Sequence, residues 1–219
     1  MKEMGLFALQ GKNGKYHSYK GDNGVEKENL LLDEIKNENN EVIGRVRNFT
    51  TTGPNQKWTT DVSEFKAEEG KIYLSPILDM YDGSIISYDV SEHPNMEQIN
   101  NMLDRAFEAN DNLEGLIFHS DQGWQYQHKA YQVRLASKGI KQSFSRKGNC
   151  MDNSLMENFF GIIKNEMYYG HEKEFKTKQQ LKNAIKEYIK WYNEERINIK
   201  RKGLSPYEYR QQSLSYSFC

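Results

Sequence analysis

Three carboxylates, Asp61, Asp121 and Glu157, stand in segments whose types and spacing suit metal-assisted chemistry. Asp61 lies in a run of strand formers, Lys57-Trp-Thr-Thr-Asp-Val-Ser-Glu-Phe65. Asp121 closes the apolar stretch Leu116-Ile-Phe118 in His119-Ser-Asp-Gln-Gly123. Glu157 falls one turn into an expected helix, in Gly148-Asn-Cys-Met-Asp-Asn-Ser-Leu-Met-Glu-Asn-Phe-Phe160. Carboxylates held together repel, and their pKa values rise unless a cation neutralises them. Oxygen-only donors suit Mg²⁺, which binds few protein carboxylates and keeps sites for phosphate oxygens and water. Two such ions about 3.5–4 Å apart can serve both the attacking and the leaving oxygen of an in-line displacement. The expected chemistry is phosphodiester cleavage or transfer.

Each residue also has a plainer reading. Asp61 among Thr and Ser can face solvent, and Asp121 before Gln-Gly can be a turn former. Glu157, three residues after Ser154, can be the reciprocal arm of a capping box. Asp79, Asp89 and Asp152 are rival carboxylates that the pattern alone does not exclude. Cys150 reads as a small buried residue. Trp124 and Tyr126 read either as loop packing or as stacking platforms for a base.

The elements that must position these side chains follow from periodicity. Segments 58–65, 71–80 and 84–90 read as three consecutive antiparallel strands, with Asp82-Gly83 as a hairpin signal that needs positive φ. Residues 95–109 carry Met96, Ile99, Met102, Leu103 and Ala106 at helical spacing. A fourth strand at 116–118, a helix at 128–137, a fifth strand at 140–144 and a helix at 153–167 complete a βββ-α-β-α-β-α order. Thr177-Lys-Gln-Gln180 and Ser205-Pro-Tyr-Glu208 are helix-start signatures. The fold class is α/β, with a mixed five-stranded sheet flanked by helices and a helical C-terminal extension.

Asp121 and Glu157 are separated by 35 residues. With Trp58-Thr-Thr-Asp61, His119-Ser-Asp121-Gln-Gly-Trp-Gln-Tyr126 and Gly148-Asn-Cys-Met-Asp-Asn-Ser-Leu-Met-Glu157-Asn-Phe-Phe-Gly-Ile-Ile-Lys164-Asn-Glu166, the chain resembles the D-D-35-E insertion-sequence transposases of the OrfB type, in the retroviral-integrase-like superfamily. A tail of Tyr192-Asn-Glu-Glu-Arg196 and Gly203-Leu-Ser-Pro-Tyr-Glu208 is similar as well, so the resemblance runs over about 55–210. It implies an RNase H-like fold with Asp61, Asp121 and Glu157 as the catalytic, metal-binding triad. Its cofactor would be two Mg²⁺ ions, with Mn²⁺ as a substitute. The implied reaction is hydrolysis at a transposon end to expose a 3′-OH, then attack of that 3′-OH on another phosphodiester. Implied partners are double-stranded DNA (transposon ends and target), further copies of the chain assembled on DNA, and an upstream helix-turn-helix subunit.

Three regions follow. Residues 1–56 read as a poorly structured lead-in, a remnant of a helix-turn-helix region. Residues 57–172 read as the catalytic core and 173–219 as a basic helical extension. The whole chain carries a net charge of −1. That value conceals a net −9 over 57–133 and a net +8 over 134–219, an asymmetry that suits a polyanionic partner. Candidate DNA contacts are Asn153, Gly161 and Lys164, which share the Glu157 face of their helix. Lys178, Lys182, Lys186 and Lys190 recur at four-residue spacing and read either as a solvated helix face or as a phosphate track, the first three as candidate DNA contacts; Arg196, Lys200, Arg201 and Lys202 lie just beyond. No run approaches a membrane span, and two cysteines make no disulfide framework, so a cytoplasmic protein is expected. A DNA-binding remnant without catalysis, or a nuclease of the same fold, remains as the alternative.

Overall fold

In the computed structural model, residues 28–216 are described, and Leu6–Leu9 and Cys219 lie outside them. The strands are β1 (Leu32–Lys36), β2 (Val42–Arg47), β3 (Lys57–Thr60), β4 (Ser63–Ala67), β5 (Gly70–Asp79), β6 (Ile85–Ser91), β7 (Ile117–Ser120) and β8 (Lys141–Phe144). The α-helices are α1 (Met96–Glu108), α2 (Lys129–Ala136), α3 (Ser154–Ile163), α4 (Lys178–Glu194) and α5 (Pro206–Tyr216). β3, β5, β6, β7 and β8 belong to one mixed sheet with β4: β5 pairs antiparallel with β6 and β3, while β3, β7 and β8 run parallel.

β3 and β4 are one strand with a break. Thr60 faces Ile77 and Ser63 faces Leu74, so both pair with β5 in a single continuous register. The interruption falls at Asp61-Val62, opposite Ser75 and Pro76. Proline has no N–H to donate to a ladder, and the Pro76 carbonyl on this edge instead accepts from Thr60 Oγ1 at 2.8 Å. Counted this way the sheet has the five strands expected, but Asp61 stands at the break and not in the middle of a strand. The β5–β6 hairpin turns at Gly83, where φ is +74° and Asp82 Oδ1 accepts from Ser84 N at 2.8 Å.

Helices cover both faces of the sheet. On one, Trp58, Ile77 and Phe118 pack with Ile99, Met102 and Leu103 of α1 and Tyr131 and Leu135 of α2. On the other, Phe65, Ile72 and Leu74 pack with Met156, Phe159 and Ile163 of α3 and Leu181, Ile185 and Ile189 of α4. Each such side chain contributes roughly 1.5–3 kcal/mol by leaving water. The segment from 173 onward is therefore no appendage: the apolar stripe of α4 supplies part of this second core. Thr177 and Gln180 close the capping box that starts α4, and Ser205 with Glu208 does the same for α5.

The expected lead-in also needs correction over its described part. β1 and β2 pair as an antiparallel hairpin. The chain before it is tied to β8, with Glu28 O accepting from Phe144 N at 2.8 Å and Ser143 Oγ accepting from Leu30 N at 2.9 Å. Both partners lie more than 100 residues away, so no local pattern announces them. The expected helix 153–167 is three pieces: a 3₁₀ turn Cys150–Asn153, then α3, then a π-helical turn Lys164–Tyr168.

Candidate active site

The parallel pairing of β3 with β7 brings the first two carboxylates together. Trp58 is opposite Phe118 and Thr59 opposite His119. Two residues further along each strand come Asp61 and Asp121, at matched height where both chains leave the sheet. Neighbouring strands lie about 4.8 Å apart, so the two carboxylates repel. Asp61 is accordingly held well above the usual carboxylate range, first by burial and next by the charge of Asp121. The amide of Val62, bonded to Asp61 Oδ1 at 2.7 Å, and the charge of Lys164 work against that rise; Glu157 adds to it. Asp121 Oδ1 accepts from Gly123 N at 2.8 Å. A Cβ on Gly123 would fall 2.7 Å from Gln125 Nε2 and 2.9 Å from that oxygen, so any side chain here would push both the Gln125 amide and the Asp121 carboxylate aside.

Glu157 arrives from α3, whose start is fastened to β3. The buried Asn153 side chain accepts from Thr59 Oγ1 and donates to Thr60 O at 3.2 Å. That bond sets the first turn of α3 beside Asp61. Burial raises the Glu157 pKa, opposed by a hydrogen bond from the Cys150 thiol. Cys150 is exposed, not buried as its type suggests. Ser154 is the first residue of α3 and not its cap, and the capping position, Asn153, makes no side-chain capping bond. The capping-box reading of Glu157 is therefore not realised.

Asp61, Asp121 and Glu157 line one narrow pocket. Its walls are Gln122, the loop Ser145-Arg146-Lys147-Gly148-Asn149, Cys150 and Asn153. Among the described residues, no three His, Cys, Asp or Glu side chains are already gathered as a ligand set for a metal ion. The arrangement is a mutually repelling aspartate pair with Glu157 as a weaker electrostatic neighbour. The donor set nevertheless fits a hard divalent cation: every ligand is a carboxylate oxygen, and a cation would relieve the repulsion that raises Asp61. His119 takes no part. It is buried between Ser143 Oγ (2.8 Å) and Ser145 Oγ (3.0 Å), and burial draws its pKa down to about 4.

The candidate DNA contacts divide. Lys164 lies on the Asp61 side of its helix, with Nζ 5.2 Å from the Phe65 ring centre. A Cβ on Gly161 would meet nothing within 4 Å, so that face is open. The amide of Asn153 is committed to β3. Lys178 and Lys182 both pair with Glu92, at 2.7 and 3.2 Å, and Arg196 pairs with Glu166 at 2.6 Å. In this fold these three side chains are therefore engaged with carboxylates, two of them at the surface. Arg201 folds back onto the carbonyls of Arg196 and Leu204. Lys186, Lys200 and Lys202 stay exposed. Tyr126 is fully buried against Tyr131, while Trp124 is partly exposed.

Sequence reasoning missed Arg146 and Lys147, and weighed Asp152 only as a rival carboxylate. Asp152 accepts from Arg146 Nη2 at 2.9 Å and Arg47 Nε at 2.6 Å, fixing the loop that forms the pocket wall. A basic pair immediately before a Gly-Asn turn was the available signal.

Comparison with known proteins gives the family and the fold. Two family models, each described as "Integrase core domain", match residues 51–150 and 157–214. The chain is 52% identical to an "Uncharacterized transposase-like protein" of Haemophilus influenzae, over 93% of this chain and 87% of that protein. It is 45% identical to "Putative transposase InsK for insertion sequence element IS150" of Escherichia coli K12, over 96% of this chain and 69% of that one. Among solved structures, the HTLV-2 integrase catalytic core domain in complex with magnesium superposes with a TM-score of 0.57 at 21% identity. That likeness covers 73% of this chain and 98% of the integrase core, and it establishes the RNase H-like fold.

Proposed function

Because this chain belongs to the insertion-sequence transposases of the retroviral-integrase-like superfamily, we propose that it cuts and joins DNA at the pocket formed by Asp61, Asp121 and Glu157. The carrying observation is that three carboxylates from three distant segments line one pocket, with Asp61 raised by burial and by Asp121. The substrate is double-stranded DNA, at transposon ends and at a target. The first step is hydrolysis that exposes a 3′-OH; the second is attack of that 3′-OH on another phosphodiester. Both are displacements by an oxygen at phosphorus, so one site serves both.

Mg²⁺ held by Asp61, Asp121 and Glu157, with Mn²⁺ as a substitute, would neutralise charge on the phosphate and favour the anionic form of the attacking oxygen. The chain's own residues do the rest. Asn153 keeps Glu157 in register with Asp61, and the Gly123 amide orients Asp121. Lys164 offers a cation on the Asp61 side of the pocket. Lys186, Lys200 and Lys202 would meet backbone phosphates, giving affinity without sequence specificity. Gly161 leaves room for a sugar-phosphate.

Pairing two DNA ends calls for more than one copy of the chain, and the intasome of a simian T-cell lymphotropic virus is a solved assembly of this fold. Recognition of the ends falls to a helix-turn-helix region or subunit upstream. No helix among the described residues is long and apolar enough to cross a membrane, in keeping with action on DNA in the cytoplasm. The test is incubation with Mg²⁺ or Mn²⁺ and a duplex carrying a pre-cut 3′-OH end. Joined products that require the metal are expected. Cleavage with water as the only nucleophile, and no joining, would reduce the protein to a nuclease.

A further inference from the structure

Asp152 lies just before α3, with its side chain wholly buried, and its carboxylate is saturated by donors. Arg146 donates to it through Nε and Nη2, each at 2.9 Å, and through its backbone N–H at 3.0 Å. Arg47 donates from β2 through Nε at 2.6 Å, and Asn29 Nδ2 donates at 2.9 Å. A second Arg47 nitrogen, Nη2, reaches Asn149 Oδ1 at 3.4 Å. One carboxylate thus fixes two guanidinium groups that are distant in sequence, and the cluster carries a net positive charge.

Stability alone is a weak reason for such a cluster, since buried ion pairs are often replaceable by apolar groups at no loss. The guanidinium groups are not themselves buried: the Arg47 side chain is 32% exposed and that of Arg146 is 41% exposed. A guanidinium has five N–H donors, and the bonds above use only some of them. Arg146 also lines the pocket that holds Asp61, Asp121 and Glu157. A phosphodiester approaching three carboxylates is repelled, so a cation fixed at the rim of that pocket has an evident use.

We propose that Arg47 and Arg146, oriented by Asp152, form a two-arginine clamp for a DNA backbone phosphate at the mouth of the carboxylate pocket. The clamp rests on the reading of the chain as a DNA-joining enzyme. Asp152 acts as a positioning residue, and the two arginines are the binding groups. A pre-oriented guanidinium meets phosphate through paired N–H bonds, with less side-chain freedom to lose than a mobile lysine. The β1–β2 hairpin, which delivers Arg47, thereby becomes part of the substrate site.

Binding without chemistry tests the clamp. Anisotropy of a labelled 3′-OH duplex is titrated in Ca²⁺ across a salt series, with neutral methylphosphonates placed singly near the end. For the natural chain, one such position should weaken binding about tenfold, the loss of a charge-assisted hydrogen bond. Arg47→Ala and Arg146→Ala should each weaken the unmodified duplex about tenfold, lower the salt slope by about 1, and abolish sensitivity to that one methylphosphonate. Arg47→Lys should keep the slope. A merely structural role gives another result: weaker binding that tracks thermal stability, with methylphosphonate sensitivity intact. That result overturns the clamp, as does unchanged binding by both alanine variants. If the natural chain binds no duplex, the DNA reading falls with it; if it binds and both alanine variants bind as it does, the clamp alone falls.

Discussion

Two pairs of aspartates sit at opposite ends of the same sheet and are treated in opposite ways. Asp79 ends β5, and Asp82 lies in the turn beyond; burial and mutual repulsion raise the Asp79 pKa, as burial and Asp121 raise that of Asp61. The first pair is supplied with its own cation. Arg210 of α5 reaches Asp79 at 3.0 Å and Asp82 at 2.8 Å, and Asn55 N and Trp58 Nε1 also donate to Asp79. Asp61 and Glu157 join no ion pair among the described residues. The other two rivals in the sequence follow the first pattern: Asp89 meets Arg105 at 3.1 Å, and Asp152 holds two arginines. Each rival aspartate brings an arginine, whereas Asp61 and Glu157 leave carboxylate oxygens that a divalent cation can match.

Opposite treatment implies opposite responses to mutation. Arg210→Leu strands two buried carboxylates and should cost about 3–5 kcal/mol, read by urea denaturation. A loss below about 1 kcal/mol would erase the distinction. Next in size is the response to metal. At 100 times its Kd, Mg²⁺ should stabilise the natural chain by about 2.7 kcal/mol, seen as a rise in Tm. In Asp61→Asn the rise should vanish, and in Arg210→Leu it should persist.

Without metal, Asp61→Asn should stabilise the fold by about 0.5–2 kcal/mol, as neutralising a strained functional group commonly does. Acid should expose the third arrangement. Burial opposes ionisation of Asp152, but the hydrogen bonds from Arg146 and Arg47 prevail and hold its carboxyl well below the usual range. A depressed carboxylate contributes stability that is complete above its unfolded pKa, about 3.9, and is lost as pH falls through the folded value. Arg47→Ala should therefore flatten the decline of unfolding free energy below about pH 4. The smallest effect belongs to Lys178→Ala and Lys182→Ala. Their pairs with Glu92 are at the surface, so each should change stability by under about 1 kcal/mol. Each should also leave the salt slope of DNA binding unmoved.

Much of this was legible in the residues, for a definite reason. The carboxylates sit at strand ends and on a first helical turn, and such positions show in local periodicity and in spacing along the chain. Helix starts at Asn95, His128 and Thr177 were equally readable, because a cap is a contact within three residues. What could not be read depends on distant partners. The break at Asp61 reflects Pro76 across the ladder. Among the lysines of α4 spaced by four, two meet Glu92, a partner about 90 residues away that no local pattern shows. Asp152 stood as a rival carboxylate because the arginines that hold it lie at positions 47 and 146. Burial of α4 against the sheet likewise shows only once the sheet exists.

The central claim is that Asp61, Asp121 and Glu157 act as one metal-dependent site. The most direct measurement is the rate of joined-product formation in Mg²⁺ by Asp61→Asn, Asp121→Asn and Glu157→Gln, each first shown to be folded and to bind the duplex in Ca²⁺. All three should fall together to background, a loss of about 10³-fold or more, since members of one catalytic unit fail alike and not additively. Joining at close to the natural rate by any one of them would contradict the account.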